Sequence, residues 1–241
     1  MIANYEWHEA ADPESLANQL AMQIIAVMDQ TIEQKGSVVL ALSGGSTPKP
    51  LFKSLATADL DWSKVIITLV DERWVPKTHE LSNAAFMQTH LLDSLPDVVR
   101  FIPLYEPAES AELSTAEVLN NYCSIAQSSP NTPRPFDIVV LGMGGDGHTA
   151  SFFPDADNIT DLVDPNSIAP LLTCNSTSTQ VDRITWNLPM LLNAQYLALH
   201  ITGDSKKRVF SEAVINGPVV ELPIRSVIFQ QQLPLQVFYA D

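Results

Sequence analysis

The residues best suited to chemistry stand at the end of a glycine-rich segment in the middle of the chain. The segment 142–147 holds four of the nine glycines, and His148 follows it directly. Glycines allow a backbone to approach a ligand closely, so the segment would hold His148 beside whatever it binds. An imidazole changes its protonation near neutral pH, which suits a general base. We therefore predict that His148 is a catalytic base and that the other histidines make structural hydrogen bonds: His8, His79, His90 and His200.

The same segment, Gly142-Met143-Gly144-Gly145-Asp146-Gly147, formally matches the GxGxxG pattern of dinucleotide-binding proteins. In those proteins a long helix follows the loop, and a strand ending in an acidic residue comes about twenty residues later. Here Pro154 stands too soon after Gly147 for a long helix, and no such strand follows. We interpret the match as accidental, and no organic cofactor is predicted.

A second polar segment, Ser43-Gly44-Gly45-Ser46-Thr47-Pro48, follows the apolar run 38–42. Its glycines permit close backbone approach, and its hydroxyl groups and the N-terminus of a following helix could donate to an anion. We predict that residues 43–47 bind the substrate, with a phosphate as the group that fits best. The alternative is an ordinary turn in which Thr47 caps the helix. The segment is not a P-loop, because the Gly-Lys-Ser/Thr ending is missing.

Charged side chains complete the candidate site. Asp71, Glu72 and Arg73 come at the end of another apolar run, where a carboxylate could orient the histidine and Arg73 could hold an anion or polarise a carbonyl. Farther along the chain, Arg183 and Lys206 are candidates for the cationic side of a phosphate pocket. The alternative for these five residues is a plain ion-pair cluster or a set of solvated charges.

Three apolar runs precede the polar segments and have the length and composition of buried strands: 38–42, 65–70 and 136–141. Helical patterns follow the first two, at 48–55 and from Ser82 onward. Such alternation indicates an α/β fold, a mostly parallel sheet with helices on both faces. Ligands bind these sheets beyond the carboxyl ends of the strands, so the polar segments are expected to meet at one edge.

The remaining patterns predict further elements around this framework. Helices are expected at 12–35, 113–126 and 205–214, and strands at 196–201, 226–229 and 236–239. The stretch 155–167 has no clear period and is predicted to be a mobile loop or a lid. A single domain is expected for residues 1–241.

Charge and composition exclude several classes of function. The formal net charge of −15, with only 13 Lys and Arg, disfavours binding to nucleic acid or anionic membranes. No stretch approaches the roughly 18 apolar residues that span a bilayer, and no signal peptide is evident, so a cytoplasmic protein is expected. Cys123 and Cys174 are isolated, so neither a metal site nor a disulfide is predicted.

Four segments together resemble the 6-phosphogluconolactonase family, in order and at its usual intervals. They are Ser43-Gly-Gly-Ser-Thr-Pro48, Asp71-Glu-Arg-Trp-Val-Pro76 with Ser82-Asn83, Gly142-Met-Gly-Gly-Asp-Gly-His-Thr-Ala-Ser151 with Phe153-Pro154, and Arg183-Ile-Thr185. The resemblance covers nearly the whole chain. The departures are Phe152, where Leu is more usual, and Asp155, where Gly often follows the Phe-Pro pair.

The resemblance implies a Rossmann-like α/β fold that glucosamine-6-phosphate deaminases share. It implies hydrolysis of 6-phospho-D-glucono-1,5-lactone, a sugar-phosphate lactone of the pentose phosphate pathway, with His148 as the base that activates water. Asp146 would shape the loop or orient His148, and Arg73, Arg183 and Lys206 would surround the anionic substrate. This acyl chemistry needs neither a metal nor an organic cofactor, and no obligate protein partner is implied.

Two other functions stay open at this point. A glucosamine-6-phosphate deaminase or sugar-phosphate isomerase would use the same scaffold but needs a further acid. In deaminases Tyr stands in place of Arg73, and Asn and Glu stand in place of Phe152 and Phe153, so the apolar pair favours the lactonase. A catalytically silent sugar-phosphate sensor would be indicated by the loss of His148, which this chain retains.

Overall fold

The computed structural model describes residues 2–241. In chain order its strands are β1 (Tyr5–Glu9), β2 (Val38–Leu42), β3 (Val65–Leu69), β4 (Asp71–Arg73), β5 (Arg100–Ile102), β6 (Ile138–Leu141), β7 (Leu171–Cys174), β8 (Arg183–Trp186), β9 (Tyr196–Thr202) and β10 (Leu235–Ala240). Seven of them form a parallel sheet in the order β1-β10-β9-β6-β2-β3-β5. The other three form an antiparallel sheet in the order β4-β8-β7. The predicted α/β class is confirmed.

The helices are α1 (Pro13–Lys35), α2 (Lys49–Leu55), α3 (Asn83–His90), α4 (Ala111–Ala126), α5 (Ile159–Leu162), α6 (Leu188–Leu192), α7 (Asp204–Ala213) and α8 (Arg225–Ile228). The bounds of α1 follow from local chemistry. The Asp12 carboxylate accepts a hydrogen bond from the Ser15 amide at 2.8 Å, and Gly36, at φ +77°, ends the helix in the left-handed region. The predicted helix 12–35 is confirmed.

Helices cover both faces of the parallel sheet. The Tyr196 hydroxyl on β9 donates to the Gln23 side chain on α1 at 2.8 Å, so α1 lies on the face that Tyr196 shares with Ala198 and His200. Phe210 of α7 packs on Trp7 of β1, with ring centroids 5.3 Å apart. Trp7 and its register partners lie on the opposite face.

The strand order reverses between β2 and β6. From β2 the chain adds β3 and β5 on one side, and from β6 it adds β9 and β10 on the other, where β1, the first strand in the chain, forms the edge. The loops that leave the carboxyl ends of β2 and β6 therefore diverge and leave a crevice between them. Ligands of open α/β sheets bind at such a reversal point.

The predicted strand at 226–229 is wrong, because the chain forms α8 there. A short apolar run does not distinguish a strand from a buried helical turn. The Arg225 guanidinium is buried and donates to the Ala213 carbonyl at 3.3 Å and to the Pro218 carbonyl at 2.9 Å. These bonds hold α8 against the end of α7.

Five short strands were not predicted: β1, β4, β5, β7 and β8. Each one contains polar residues, and all except β7, which pairs with the nearby β8, pair with a strand that is distant in the chain. β1, for example, pairs with β10 at the opposite end of the sequence, with Trp7 beside Val237. A local pattern carries no signal for such pairing.

The stretch 155–167 is held by its neighbours. The Asp155 carboxylate accepts hydrogen bonds from the Thr177 hydroxyl and the Ser178 amide, both at 2.7 Å, and α5 lies within the stretch. Within residues 2–241, it contributes nothing to the lining of the cavity described below. The structure gives this stretch defined contacts and does not place it as a lid.

Candidate active site

A cavity of about 320 Å³ opens at the reversal point between β2 and β6. Loops that follow β2, β6 and β9 form its walls together with the β4–β8 ladder. Ten of the twelve residues predicted for the site line it: Ser43, Gly44, Gly45, Ser46, Thr47, Asp71, Arg73, His148, Arg183 and Lys206. The structure therefore brings together segments that lie far apart in the sequence.

The loop after β6 folds back on itself and presents His148 to the cavity. The Gly144 amide donates to the His148 carbonyl at 2.8 Å, and the Gly147 amide donates to the Gly144 carbonyl at 3.2 Å. A side chain at position 144 would collide with the His148 ring and the Asp146 carboxylate. Glycine is therefore required where the loop passes the imidazole.

Asp146 does not line the cavity, but it holds His148 in place. Its Oδ1 atom lies 2.6 Å from His148 Nδ1 and accepts a hydrogen bond from the His148 amide at 3.1 Å. Burial alone would raise the pKa of Asp146, but the hydrogen bonds and charge of His148 outweigh it and lower the pKa to about 2. An ionised carboxylate can only accept, so in the neutral imidazole Nδ1 carries the proton and Nε2 keeps its lone pair.

Phe153 lies between the histidine and an arginine. Its ring centroid is 4.2 Å from that of His148, and the Arg183 guanidinium carbon lies 4.9 Å from the same centroid. The buried ring fixes the plane of the imidazole and attracts the cation through its π face. The sequence predicted no contact of Phe153 with the histidine or with an arginine, although the residue belongs to the segment that resembles the family.

Two arginines stand side by side in the wall of the cavity. The antiparallel register of β4 and β8 places Arg73 directly opposite Arg183. Arg183 Nη1 lies 3.6 Å from Asp71 Oδ2, and Asp71 Oδ2 also accepts a hydrogen bond from the Ser151 hydroxyl at 2.5 Å. Burial lowers the pKa of Arg183, Asp71 counteracts the shift, and Arg73 adds to it. Like charges directly opposite on a ladder are unfavourable, so this pair is suited to an anion.

Arg73 and Arg183 each have N–H groups that remain able to donate to a ligand. Arg73 donates to the Leu81 carbonyl at 2.7 Å, while its Nε and the Nε of Arg183 are buried with no hydrogen-bond partner among residues 2–241. Buried donors without partners are uncommon in native proteins and cost stability. A bound anion would supply acceptors at this wall of the cavity.

Glu72 lies outside the cavity, and the prediction that it binds substrate does not agree with its position. Its carboxylate is fully buried and accepts from the amides of Arg73, Asn83 and Ala84 at 2.8, 2.7 and 2.7 Å, and from the Ser82 hydroxyl at 3.2 Å. It therefore caps α3 and fixes the backbone of Arg73. Adjacent residues of a strand face opposite sides, which separates Glu72 from its two neighbours.

The loop after β2 forms the opposite wall. The Ser43 hydroxyl donates to the Val140 carbonyl at 3.0 Å and accepts from the Gly142 amide at 3.2 Å, so it ties the two loops together. Gly44 passes so close to Asn83 that a side chain there would collide with it. Thr47 makes no cap, because α2 begins after Pro48 without a side-chain cap. The turn therefore presents Ser46 and Thr47 to the cavity.

Lys206 lies in the first turn of α7 and completes the cationic lining. Burial lowers the pKa of its ammonium group, and the charge of Asp146 opposes this shift. The ammonium of Lys206 and the two guanidinium groups approach the cavity from different elements. The chain has 28 acidic residues and only 13 Lys and Arg, so cationic side chains are the scarcer kind. Five of the acidic residues lie at 71–72, 146 and 155–157.

Two further residues of the lining had been given no function from the sequence. Asn83 donates to the Asp71 carbonyl at 2.9 Å and contacts the β2 loop. His200 was predicted to make a structural hydrogen bond, and that prediction is wrong: neither ring nitrogen has a partner among residues 2–241. A polar residue in the apolar strand 196–201, three residues before Gly203, was the signal available in the sequence.

No three His, Cys, Asp or Glu side chains within residues 2–241 are grouped so that they could hold a metal ion. Likewise, none of the helices over that range has the length and apolar character needed to cross a membrane.

The sheet and cavity define an α/β protein that pairs an oriented histidine with three cations at its strand-order reversal. The family described as glucosamine-6-phosphate isomerases/6-phosphogluconolactonase matches residues 11–235. The chain belongs to this family.

Several relatives match over their full length. The 6-phosphogluconolactonase of Mesorhizobium japonicum is 40% identical over 238 residues, which cover 99% of this chain and 96% of that protein. The protein of the same name from Rhizobium meliloti is 40% identical over 233 residues, 97% of each chain. The crystal structure of a 6-phosphogluconolactonase from Shewanella baltica superposes with a TM-score of 0.91 at 34% identity and covers 100% of both chains.

Proposed function

We propose that this protein is a 6-phosphogluconolactonase, which hydrolyses 6-phospho-D-glucono-1,5-lactone to 6-phospho-D-gluconate in the oxidative pentose phosphate pathway. The observation that carries the proposal is the His148–Asp146 pair, 2.6 Å apart, in a cavity that Arg73, Arg183 and Lys206 also line. The reaction requires a base for water and cations for a phosphorylated substrate, and the cavity holds both.

The pair acts in two stages. His148 Nε2 takes a proton from water as the water oxygen bonds to the lactone carbonyl carbon, and the carbonyl oxygen becomes an oxyanion. The oxyanion then re-forms the carbonyl and breaks the bond to the ring oxygen, which takes the proton back from His148 and leaves as a hydroxyl group. Asp146 stabilises the imidazolium between the two stages without accepting its proton.

The cations balance the charge of the substrate. A phosphate dianion brings negative charge into a chain of net charge −15, so local attraction must overcome repulsion at a distance. Arg73 and Arg183 are adjacent on the ladder, and Lys206 approaches from α7. Together they would hold the phosphate and stabilise the oxyanion in a partly dehydrated cavity, where charge interactions are stronger than in water.

The region after His148 favours this reaction over deamination or isomerisation of an open-chain sugar phosphate. Those reactions need a further acid beside the histidine. Phe152 and Phe153 occupy that stretch instead, and both are buried. Phe153 contacts the His148 ring itself.

The first test is hydrolysis of freshly generated 6-phosphoglucono-δ-lactone, measured above the spontaneous rate. Wild-type protein should accelerate the reaction, and His148→Ala should lower kcat about 10²- to 10⁴-fold while the fold is retained. His90→Ala, a histidine outside the cavity, is the matched control and should keep the wild-type rate. Wild-type protein that leaves the rate at background would reject the proposal, and glucosamine 6-phosphate would then be the substrate to try.

We also propose that the reaction takes place in the cytoplasm. A phosphorylated sugar cannot leave the compartment in which it is made, because moving a phosphate dianion through hydrocarbon is prohibitively unfavourable. Fractionation of cells with an antibody to this chain would test the location.

A further inference from the structure

His200 is a buried polar residue at the floor of the cavity. It stands on β9 beside Phe238 of β10, two residues before the end of the strand, and 3% of its surface is exposed. The cavity lining includes it together with Leu141 and Ile201, which are apolar. Its ring lies on the sheet face that α1 covers, and the mechanism above does not use it.

Both nitrogens of the ring are without a hydrogen-bond partner among residues 2–241. A buried polar atom left unpaired is destabilising, so an apolar residue of similar size would be more stable at this place. The other buried side chain nitrogens without partners at this cavity belong to Arg73 and Arg183. Like Arg73 and Arg183, His200 therefore has nitrogen atoms at the cavity that could still form hydrogen bonds.

The protonation state of His200 limits what it can bind. Burial lowers its pKa to about 4, so the ring is neutral at physiological pH. A neutral imidazole offers one N–H donor and one lone pair. A hydroxyl group can either accept from the N–H or donate to the bare nitrogen, whereas the charged phosphate has the three cations available.

We propose that His200 is a substrate-binding residue whose imidazole forms one hydrogen bond with an uncharged sugar hydroxyl at the floor of the cavity. This inference rests on the proposed function, because it takes the ligand to be a phosphorylated sugar derivative. The same contact would let the cavity distinguish sugar acids that differ in the direction of one hydroxyl group.

Calorimetric titration with 6-phosphogluconate, the reaction product, tests the contact. His200→Leu should raise the Kd of this compound about 3- to 10-fold, the effect of one lost neutral hydrogen bond. The Kd of inorganic phosphate, which has no sugar hydroxyl, should stay at its wild-type value. His200→Gln, which keeps an uncharged donor and acceptor, should recover part of the affinity for 6-phosphogluconate.

Thermal unfolding separates this role from a structural one. The Tm of His200→Leu should equal or exceed that of wild type, because the change removes two unpaired nitrogens. His8→Leu is the matched control: His8 lies on the same sheet face, bonds to Gln236 at 2.7 Å and does not line the cavity, so its Kd values should be unchanged.

Two results would overturn the inference. One is a 6-phosphogluconate Kd for both His200 variants within about twofold of wild type. The other is an equal loss of affinity for inorganic phosphate, which would assign His200 to the shape of the phosphate site. The wild-type lactone assay decides the proposed function separately, so its failure cannot be mistaken for either result.

Discussion

The hydrogen bond between Asp146 and His148 decides which nitrogen of the imidazole can act as the base. Because the pKa of Asp146 is about 2, the carboxylate is ionised throughout the range in which enzymes work and accepts the Nδ1 proton. Its state therefore contributes no pH dependence to the rate above about pH 4. The contact with Asp146, and not the histidine alone, therefore leaves the lone pair on Nε2.

Replacement of this carboxylate should impair turnover more than binding. In Asp146→Asn the amide can donate to Nδ1 and shift the proton to Nε2, so we expect kcat to fall about 10- to 1000-fold. Asp61→Asn, which changes an exposed carboxylate that caps a short 3₁₀ helix, is the control. Lactone hydrolysis measured at several substrate concentrations separates kcat from KM. A variant with wild-type kcat would show that the tautomer is set in another way.

At the scale of elements, the N-terminus of α3 is built around a buried carboxylate. Glu72 accepts four hydrogen bonds there, and the residue after it is Arg73 of the cavity wall. The Glu72 side chain thus fixes both the position of β4 and the start of α3, although it lies outside the cavity. A sequence shows the charge of Glu72 but not the face of the ladder on which it lies.

Glu72→Gln should destabilise the protein. An amide group presents N–H donors where the carboxylate accepts from backbone amides, so we expect the free energy of unfolding to fall by about 2–4 kcal/mol. Glu80→Gln, an exposed neighbour, should leave it unchanged. Urea unfolding followed by circular dichroism measures both. Equal midpoints for the two variants would contradict the assignment of Glu72 as the cap of α3.

At the scale of the whole molecule, a buried ion-pair cluster lies at the opposite edge of the parallel sheet from the cavity. The cavity is at the carboxyl ends of the strands, while Asp137 precedes β6 at the amino end. Its buried carboxylate accepts from Lys35 at 2.7 Å, from Arg134 at 3.1 Å and from the Val39 amide at 2.9 Å. The Gln195 side chain also donates to it at 2.8 Å, so three separate parts of the chain meet at this one group.

Asp137→Asn therefore tests the separation of the two edges. Loss of the charge leaves two cations without their partner, and we expect the free energy of unfolding to fall by about 2–4 kcal/mol. The KM for the lactone should stay at its wild-type value below the unfolding temperature. Urea unfolding and the lactone assay, run on the same preparation, measure the two quantities. A raised KM in folded protein would show that the two edges are coupled.

Much of the fold can be predicted from the sequence because the patterns that indicate it are local. Apolar runs, helix caps and glycine-rich turns indicated the α/β class, the helix 12–35 and the three polar segments that meet at the cavity. Each depends on residues within one turn or one strand. The wrong strand at 226–229 falls in a short run with no period of its own, whereas the errors at Glu72 and His200 concern contacts with distant parts of the chain.

Only the tertiary structure decided which side chains face the cavity. The register of β4 on β8 places Arg73 beside Arg183 and turns Glu72 away, and the pairing of β9 with β10 puts His200 at the cavity floor. Strand register depends on contacts between distant parts of the chain, and a shift of one residue reverses every side chain. The types of the reactive residues were therefore set by the sequence, and their arrangement by long-range pairing.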